Sequence, residues 1–369
     1  MRVCDPMLVA LATEFQVSVG EASRVISAFA VAYGCLQLFY GPLGDRVGKL
    51  RVINSAVLAC AVFSAITAMA SNFQLLVLAR AAMGASAAGI IPLSMAWLGD
   101  QVSYDRRQET LAKLMSATVT GMMAGQWFGG WAAESLGWRG AFVVLSCMFT
   151  TACALLFVRM GAQRRAVPMQ SQGSYWQAAL GSLGLLRVPR VRWVLVVTAL
   201  EGAMAFGTLA FVPSQLVQHF HLSAAMAGGL MALYGIGGLL YSQMARRWLG
   251  WFGERGLARL GSSLVATGLL LLAWGQHPLL AALGCVAAGL GFYMLHNTLQ
   301  TQATQMAPHA RGSAVTLFAC MLFFGQSTGV LLAAWTVDSG KLDWTYTVAA
   351  LGMVVLGRNV AARVNARAA

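Results

Sequence analysis

The sequence predicts an all-α integral membrane protein of two six-helix bundles, with the first helix only partly present. Three observations predict it. Of 369 residues, 58% are hydrophobic and 10% are charged, whereas a soluble domain carries about 25% charged residues. Eleven apolar runs approach or exceed the ~20 residues needed to cross a bilayer. Positive charge is concentrated in alternate connections between those runs.

Taken in order, the runs are residues 21–42, 52–70, 74–98, 114–135, 140–158, 193–213, 223–244, 257–274, 278–301, 312–335 and 344–357. The last is short. Twenty of the 25 Lys and Arg lie at 46–51, 106–113, 159–192, 246–259, 311 and 358–367. The other connections hold Arg24, Arg139 and Lys341, while Arg2 and Arg80 lie inside apolar segments. This asymmetry places the basic loops, and with them both termini, in the cytoplasm of a multi-pass inner-membrane protein. The net charge of +13 is therefore a topology signal, and no nucleic-acid partner is expected.

That polarity makes 21–42 the second of twelve spans. Residues 3–12 form about half of the first, so the reading frame is expected either to begin upstream of Met1 or to be truncated. The spans divide six and six at the longest charged connection. The expected division is an N-terminal bundle over 1–158, a cytoplasmic linker over 159–192, a C-terminal bundle over 193–358 and a tail over 359–369. Within the linker, 176–186 is mildly amphipathic and suits the membrane surface. The halves repeat faintly. Gly125-Gln126 and Gly129 recur as Gly325-Gln326 and Gly329, and 40–48 has a decayed echo at 241–250.

Seven cysteines are scattered in or beside apolar runs without metal-ligand spacing. No metal, cofactor or cleavable signal peptide is expected. No His-Glu-x-x-His pattern, phosphate-cradling loop or large soluble domain points to an enzyme.

The turn between the second and third spans carries Gly41, Gly44, Asp45, Arg46, Gly48, Lys49 and Arg51. Its glycines allow a tight backbone, and Asp45 sits among several cations. This pattern resembles the signature loop of the major facilitator superfamily, with Leu50 at a position where a basic residue is usual. The resemblance extends from residue 3 to about 358. It implies two bundles rocking around a midplane site, and a charge cluster of Asp45, Arg46 and Asp100 that latches the outward-facing state. The plain alternative is an ordinary positive loop.

Arg80, followed by Gly84 and small residues, resembles the superfamily's fourth-helix motif, which is associated with proton coupling. The alternative is an arginine snorkelling to the interface. Gly121, Gly125, Gly129 and Gly130 resemble the fifth-helix motif of drug:proton antiporters, with Gln126 where proline is usual. The first three share one helix face and would equally serve close helix packing.

Two carboxylates stand out, Asp5 and Glu201. Low dielectric disfavours the charged form of a carboxylate, which suits a group that takes up a proton on one side and releases it on the other. The alternatives are a static pair between Arg2 and Asp5, and a structural hydrogen bond at Glu201. His296, Asn297 and Gln300 are expected either to bond between helices or to line the substrate path with Gln126 and Gln326. The resulting expectation is a monomeric secondary transporter in the bilayer, exporting a small organic compound in exchange for protons. An uptake symporter or facilitator and a non-transporting relic are the alternatives.

Overall fold

A computed structural model describes residues 2–102, 104–162 and 180–364. Among them no strand occurs. Of the linker segment expected to be amphipathic, 176–179 lie outside these residues, and the stretch Ser182–Arg187 at its end forms a 3-10 helix.

The chain opens with a 3-10 helix over Arg2–Met7, followed by α1 (Leu8–Phe15). The short α2 (Val19–Ala22) is capped by Ser18, whose hydroxyl accepts the Glu21 amide. Then come α3 (Arg24–Val47), α4 (Lys49–Ala68), α5 (Phe73–Ala87), α6 (Ile90–Gln101), α7 (Tyr104–Ser135) and α8 (Gly137–Ala162). The second half holds α9 (Pro189–Leu209), α10 (Val212–Phe220), α11 (Ala224–Trp274), α12 (Pro278–Gln305), α13 (Arg311–Asp338) and α14 (Leu342–Val364).

Two spans expected as single helices are broken, and prolines explain both breaks. Pro92 lacks an N–H and crowds the carbonyl of Ala88, so α5 ends and α6 begins around Ala88 and Gly89. Pro213 does the same to Leu209, separating α9 from α10 at Ala210 and Phe211. Conversely, α11 runs 51 residues, about 75 Å at 1.5 Å per residue and more than twice a bilayer core. It comprises two spans that turn back at Gly253, where φ is 60°. Gly48, with φ 102°, makes the matching turn between α3 and α4. Both angles suit glycine, which has no β-carbon to clash. The tight turn at 40–51 is thus narrower than its composition suggests. Gly41 and Gly44 stay helical in α3, and Gly48 alone departs.

Buried apolar side chains gather in one cluster drawn from residues 191–361 and another drawn mainly from 3–142. Ala210, Phe211, Val330 and Ala333 of the second half join the latter. The repeat seen in sequence is a repeat in packing. A β-carbon at Gly129 would strike the Val3 carbonyl, and one at Gly329 would strike the Ala203 carbonyl. Each half therefore packs its fifth helix against its first through a glycine, 200 positions apart in both partners.

The halves meet toward the face opposite the basic connections. Ser18 donates to Asp338 at 2.7 Å, and the Gly20 amide donates to the same carboxylate at 2.9 Å. The Ala224 amide donates to Glu134. Nearer the middle, Ser327 donates to the Ser27 carbonyl at 3.1 Å, and the rings of Tyr33 and Phe323 lie 4.5 Å apart.

Candidate functional site

The first buried carboxylate sits in the opening 3-10 helix. Asp5 is fully buried, and Arg2, one turn earlier, donates from Nη1 to its Oδ2 at 3.0 Å. Gln126 of α7 donates its amide to the same oxygen at 3.4 Å, and Oδ1 has no partner. The Arg2 guanidinium lies 4.4 Å from the centre of the Phe206 ring in α9. One residue thus ties the first helix of each half together.

The second carboxylate, Glu201 in α9, is also fully buried. Its Oε2 lies 3.0 Å from Nδ1 of His296 in α12, and its Oε1 has no partner. The imidazole stacks on Phe292 at 4.9 Å and 14°, with Phe318 at 5.2 Å. Phe292 in turn lies 4.7 Å from Phe206 and 6.0 Å from Tyr234. An aromatic cluster therefore connects the two carboxylate sites.

Between them, a narrow cleft is lined by Arg2, Met122, Met123 and Gln126 from the first half. Leu209, Met231, Tyr234 and Gly235 line it from the second. Of the residues expected along a substrate path, Gln126 alone is on this wall. His296 is committed to Glu201. Asn297 is exposed and donates to the Tyr241 hydroxyl at 2.8 Å. Gln300 is exposed, one turn further along α12. Gln326 is buried where α13 packs on Gly202. These four share the helix end or the repeat position of a cavity residue, but their helix faces turn elsewhere.

Arg80 is 1% exposed, so it does not snorkel. Its Nη1 donates to the Met83 sulfur at 3.1 Å, and the guanidinium lies 4.5 Å from the Phe29 ring centre. Its Nε and Nη2 have no partner, and among the described residues no carboxylate lies within ion-pair distance. The glycine face of α7 is split. Gly129 and Gly130 meet the carbonyls of Val3 and Ala224, whereas Gly121 and Gly125 face open space. Close packing across all of that face is corrected accordingly.

At the basic end, Lys49 bridges two acidic residues. Its Nζ lies 2.5 Å from Asp100 and 3.9 Å from Asp45. Lys49, which the expectation named but did not make central, thus pairs with both carboxylates of the cluster. A network in the second half occupies the matching corner. Arg190 donates to Gln302 at 3.0 Å, and Gln302 donates to Glu254 beside Gly253 at 3.0 Å.

Sequence reasoning missed Tyr234 and Met231, three residues apart and so on one helix face. A hydroxyl at that spacing was the available signal, but α11 is apolar all round, and periodicity cannot say which face looks inward.

Comparison with known proteins agrees with this architecture. The chloramphenicol resistance protein of Streptomyces lividans is 27% identical over 345 residues, covering 89% of this chain and 82% of its own. The uncharacterised MFS-type transporter YceJ of Bacillus subtilis is 25% identical over 350 residues, covering 91% and 85%. A crystal structure of a mutant nucleoside transporter NupG superposes with a TM-score of 0.80 at 14% identity, covering 98% of this chain and 96% of that one. Residues 3–330 match the sequence model of the Major Facilitator Superfamily, and the chain belongs to that family of membrane transporters.

Proposed function

We propose that this secondary transporter exports a small organic compound in exchange for protons, by alternating access between bundles at 1–158 and 193–358. The observation that carries the proposal is the cleft walled by both halves, flanked by two fully buried carboxylates that each keep one oxygen without a partner. Rocking one half against the other would change which side the cleft faces. Glu201 is the favoured proton carrier, because a proton between Oε2 and Nδ1 can reside on either group. Asp5 is the second candidate. Its bond to Arg2 also fits a static pair.

Lys49, Asp45 and Asp100, with Gly41, Arg46 and Gly48 beside them, would form the gate on the cytoplasmic face, to which the basic connections are assigned. The protein would act as a monomer in the inner membrane, with both termini in the cytoplasm. The resemblance to a chloramphenicol resistance protein supports export. An uptake symporter of the same fold is the second reading.

Counterflow in liposomes separates the two. For an exporter with its basic face toward the lumen, alkalinising the lumen expels labelled compound. Accumulation under the same gradient would assign uptake.

A further inference from the structure

From the cleft's wall we infer that the substrate is a small organic anion, an aromatic or similarly flat carboxylate that also carries a hydrogen-bond donor. This rests on the reading of the cleft as the substrate site and names the chemistry that site selects.

The charge on the wall is Arg2. Its partner Asp5 is fully buried and is not among the lining residues. Asp5 receives Nη1 of Arg2, and Phe206 covers the guanidinium near 4.4 Å. A guanidinium carries five N–H donors in a planar fork that matches a carboxylate. Glu201 is not on the wall either and is engaged by His296. An organic cation in this cleft would therefore face a guanidinium with, among the described residues, no acidic side chain lining the wall.

Two buried polar atoms on the same wall lack partners. Tyr234 Oη, from a side chain 5% exposed, is a donor. Gln126 Oε1, also on a side chain 5% exposed, is an acceptor because its amide nitrogen is given to Asp5. Buried polar groups are almost always hydrogen-bonded, and both of these residues line the cleft together with Arg2. A ligand that satisfies them presents an anionic oxygen to Arg2 and Tyr234 and an N–H or O–H to Gln126. The remaining wall includes Met122, Met123 and Met231. Their soft, adaptable thioethers favour contact with aromatic rings.

The test uses the purified full chain in lipid nanodiscs with three probes of one size, measured by equilibrium binding. These are 4-hydroxybenzoate, its neutral amide and the cationic 4-hydroxybenzylamine. The anion binds saturably, the amide about tenfold or more weakly, and the amine not measurably. Arg2→Gln weakens the anion about tenfold or more, and Arg2→Lys weakens it less. Because Arg2→Gln also strips Asp5 of its partner, Tyr234→Phe is the second variant. It keeps the ring, removes the donor and weakens the anion severalfold.

Met231→Trp, which fills the cleft, abolishes binding. Equal or tighter binding of the amine, no effect of either Arg2→Gln or Tyr234→Phe, or no binding of the anion would overturn the inference. If the amine binds, or the amide binds as tightly as the anion, and Met231→Trp removes that binding, the cleft is the substrate site and only the anion inference fails. If the anion binds and Met231→Trp leaves it intact, the cleft reading itself fails.

Discussion

Glu201 and His296 approach to 3.0 Å between Oε2 and Nδ1 from two different helices, with the carboxylate fully buried and the imidazole stacked on Phe292. Such a pair is either a structural tie or a proton site, and one substitution distinguishes them. Glu201→Gln keeps the shape and a hydrogen bond but cannot ionise. The expected outcome is loss of pH-driven flux by about tenfold or more, equivalent to about 1.4 kcal/mol or more of driving interaction. Substrate binding is spared. Transport and equilibrium binding on the same preparation check it.

Arg80 makes the opposite case, a buried charge without a carboxylate. Its contact with Phe29 contributes about 0.5–2 kcal/mol, while burying an ion costs several kcal/mol. Desolvation wins, so Arg80 destabilises the fold at its site. Arg80→Met, similar in length and apolar, is expected to melt at the same or a higher temperature than the parent. Arg80→Ala, which leaves a cavity, is expected to lose about 2–5 kcal/mol. Thermal unfolding in detergent compares them. A marked loss in Arg80→Met would mean that the guanidinium is satisfied after all.

The glycines of α7 and α13 give a sharper contrast. Gly129→Leu and Gly329→Leu drive a side chain into the carbonyls of Val3 and Ala203 and are each expected to cost about 1–3 kcal/mol or more. Gly125→Ala meets open space in a helix and is expected to be neutral or to stabilise by up to about 1 kcal/mol. Melting temperatures of the three variants test this. Equal effects at Gly125 and Gly129 would refute the packing.

At the gate, Lys49 and Asp100 are partly exposed, and exposed ion pairs contribute about 0–1 kcal/mol. Lys49→Gln should therefore barely change melting while altering flux. The swapped pair, Lys49→Asp with Asp100→Lys, should recover part of that flux. A double-mutant cycle on transport reads the coupling.

Glu14 closes α1 at the opposite end, held by Arg139 and Trp138. Hydrogen bonding from Arg139 first, and from Trp138 after it, lowers its carboxyl below the usual carboxylate range. Its folded-state value is therefore depressed, so its contribution is present above about pH 4.3, the unfolded value, and fades as pH falls through the lower folded value. Glu14→Gln should melt slightly below the parent at pH 7, and the difference should shrink progressively as pH falls below the unfolded value. The group is well exposed, so the effect is small.

Much of the fold could be read from residues alone, because bilayer length and loop charge act on whole segments. The apolar runs, the basic face and the six-plus-six arrangement all follow from them. The breaks at Ala88 and Ala210 could also have been read, since Pro92 and Pro213 each forbid a hydrogen bond four residues back. The candidate site was legible only in part. Asp5, Glu201, Arg80 and Gln126 stood out because polar groups are costly in an apolar run. Their pairing did not, since His296 meets Glu201 across 95 positions. Tyr234, Met231 and the bridging role of Lys49 depend on which helix face turns inward. In helices apolar all round, only the packed structure decides that.

The most direct test of proton coupling through Glu201 follows protons themselves. The purified protein is reconstituted in liposomes enclosing a pH-sensitive dye. It is then challenged with 4-hydroxybenzoate, chloramphenicol, a nucleoside and an organic cation. At least one compound is expected to move protons with the parent protein, and none with Glu201→Gln. Proton movement unchanged in Glu201→Gln, or compound flux without any proton movement in the parent, would contradict it.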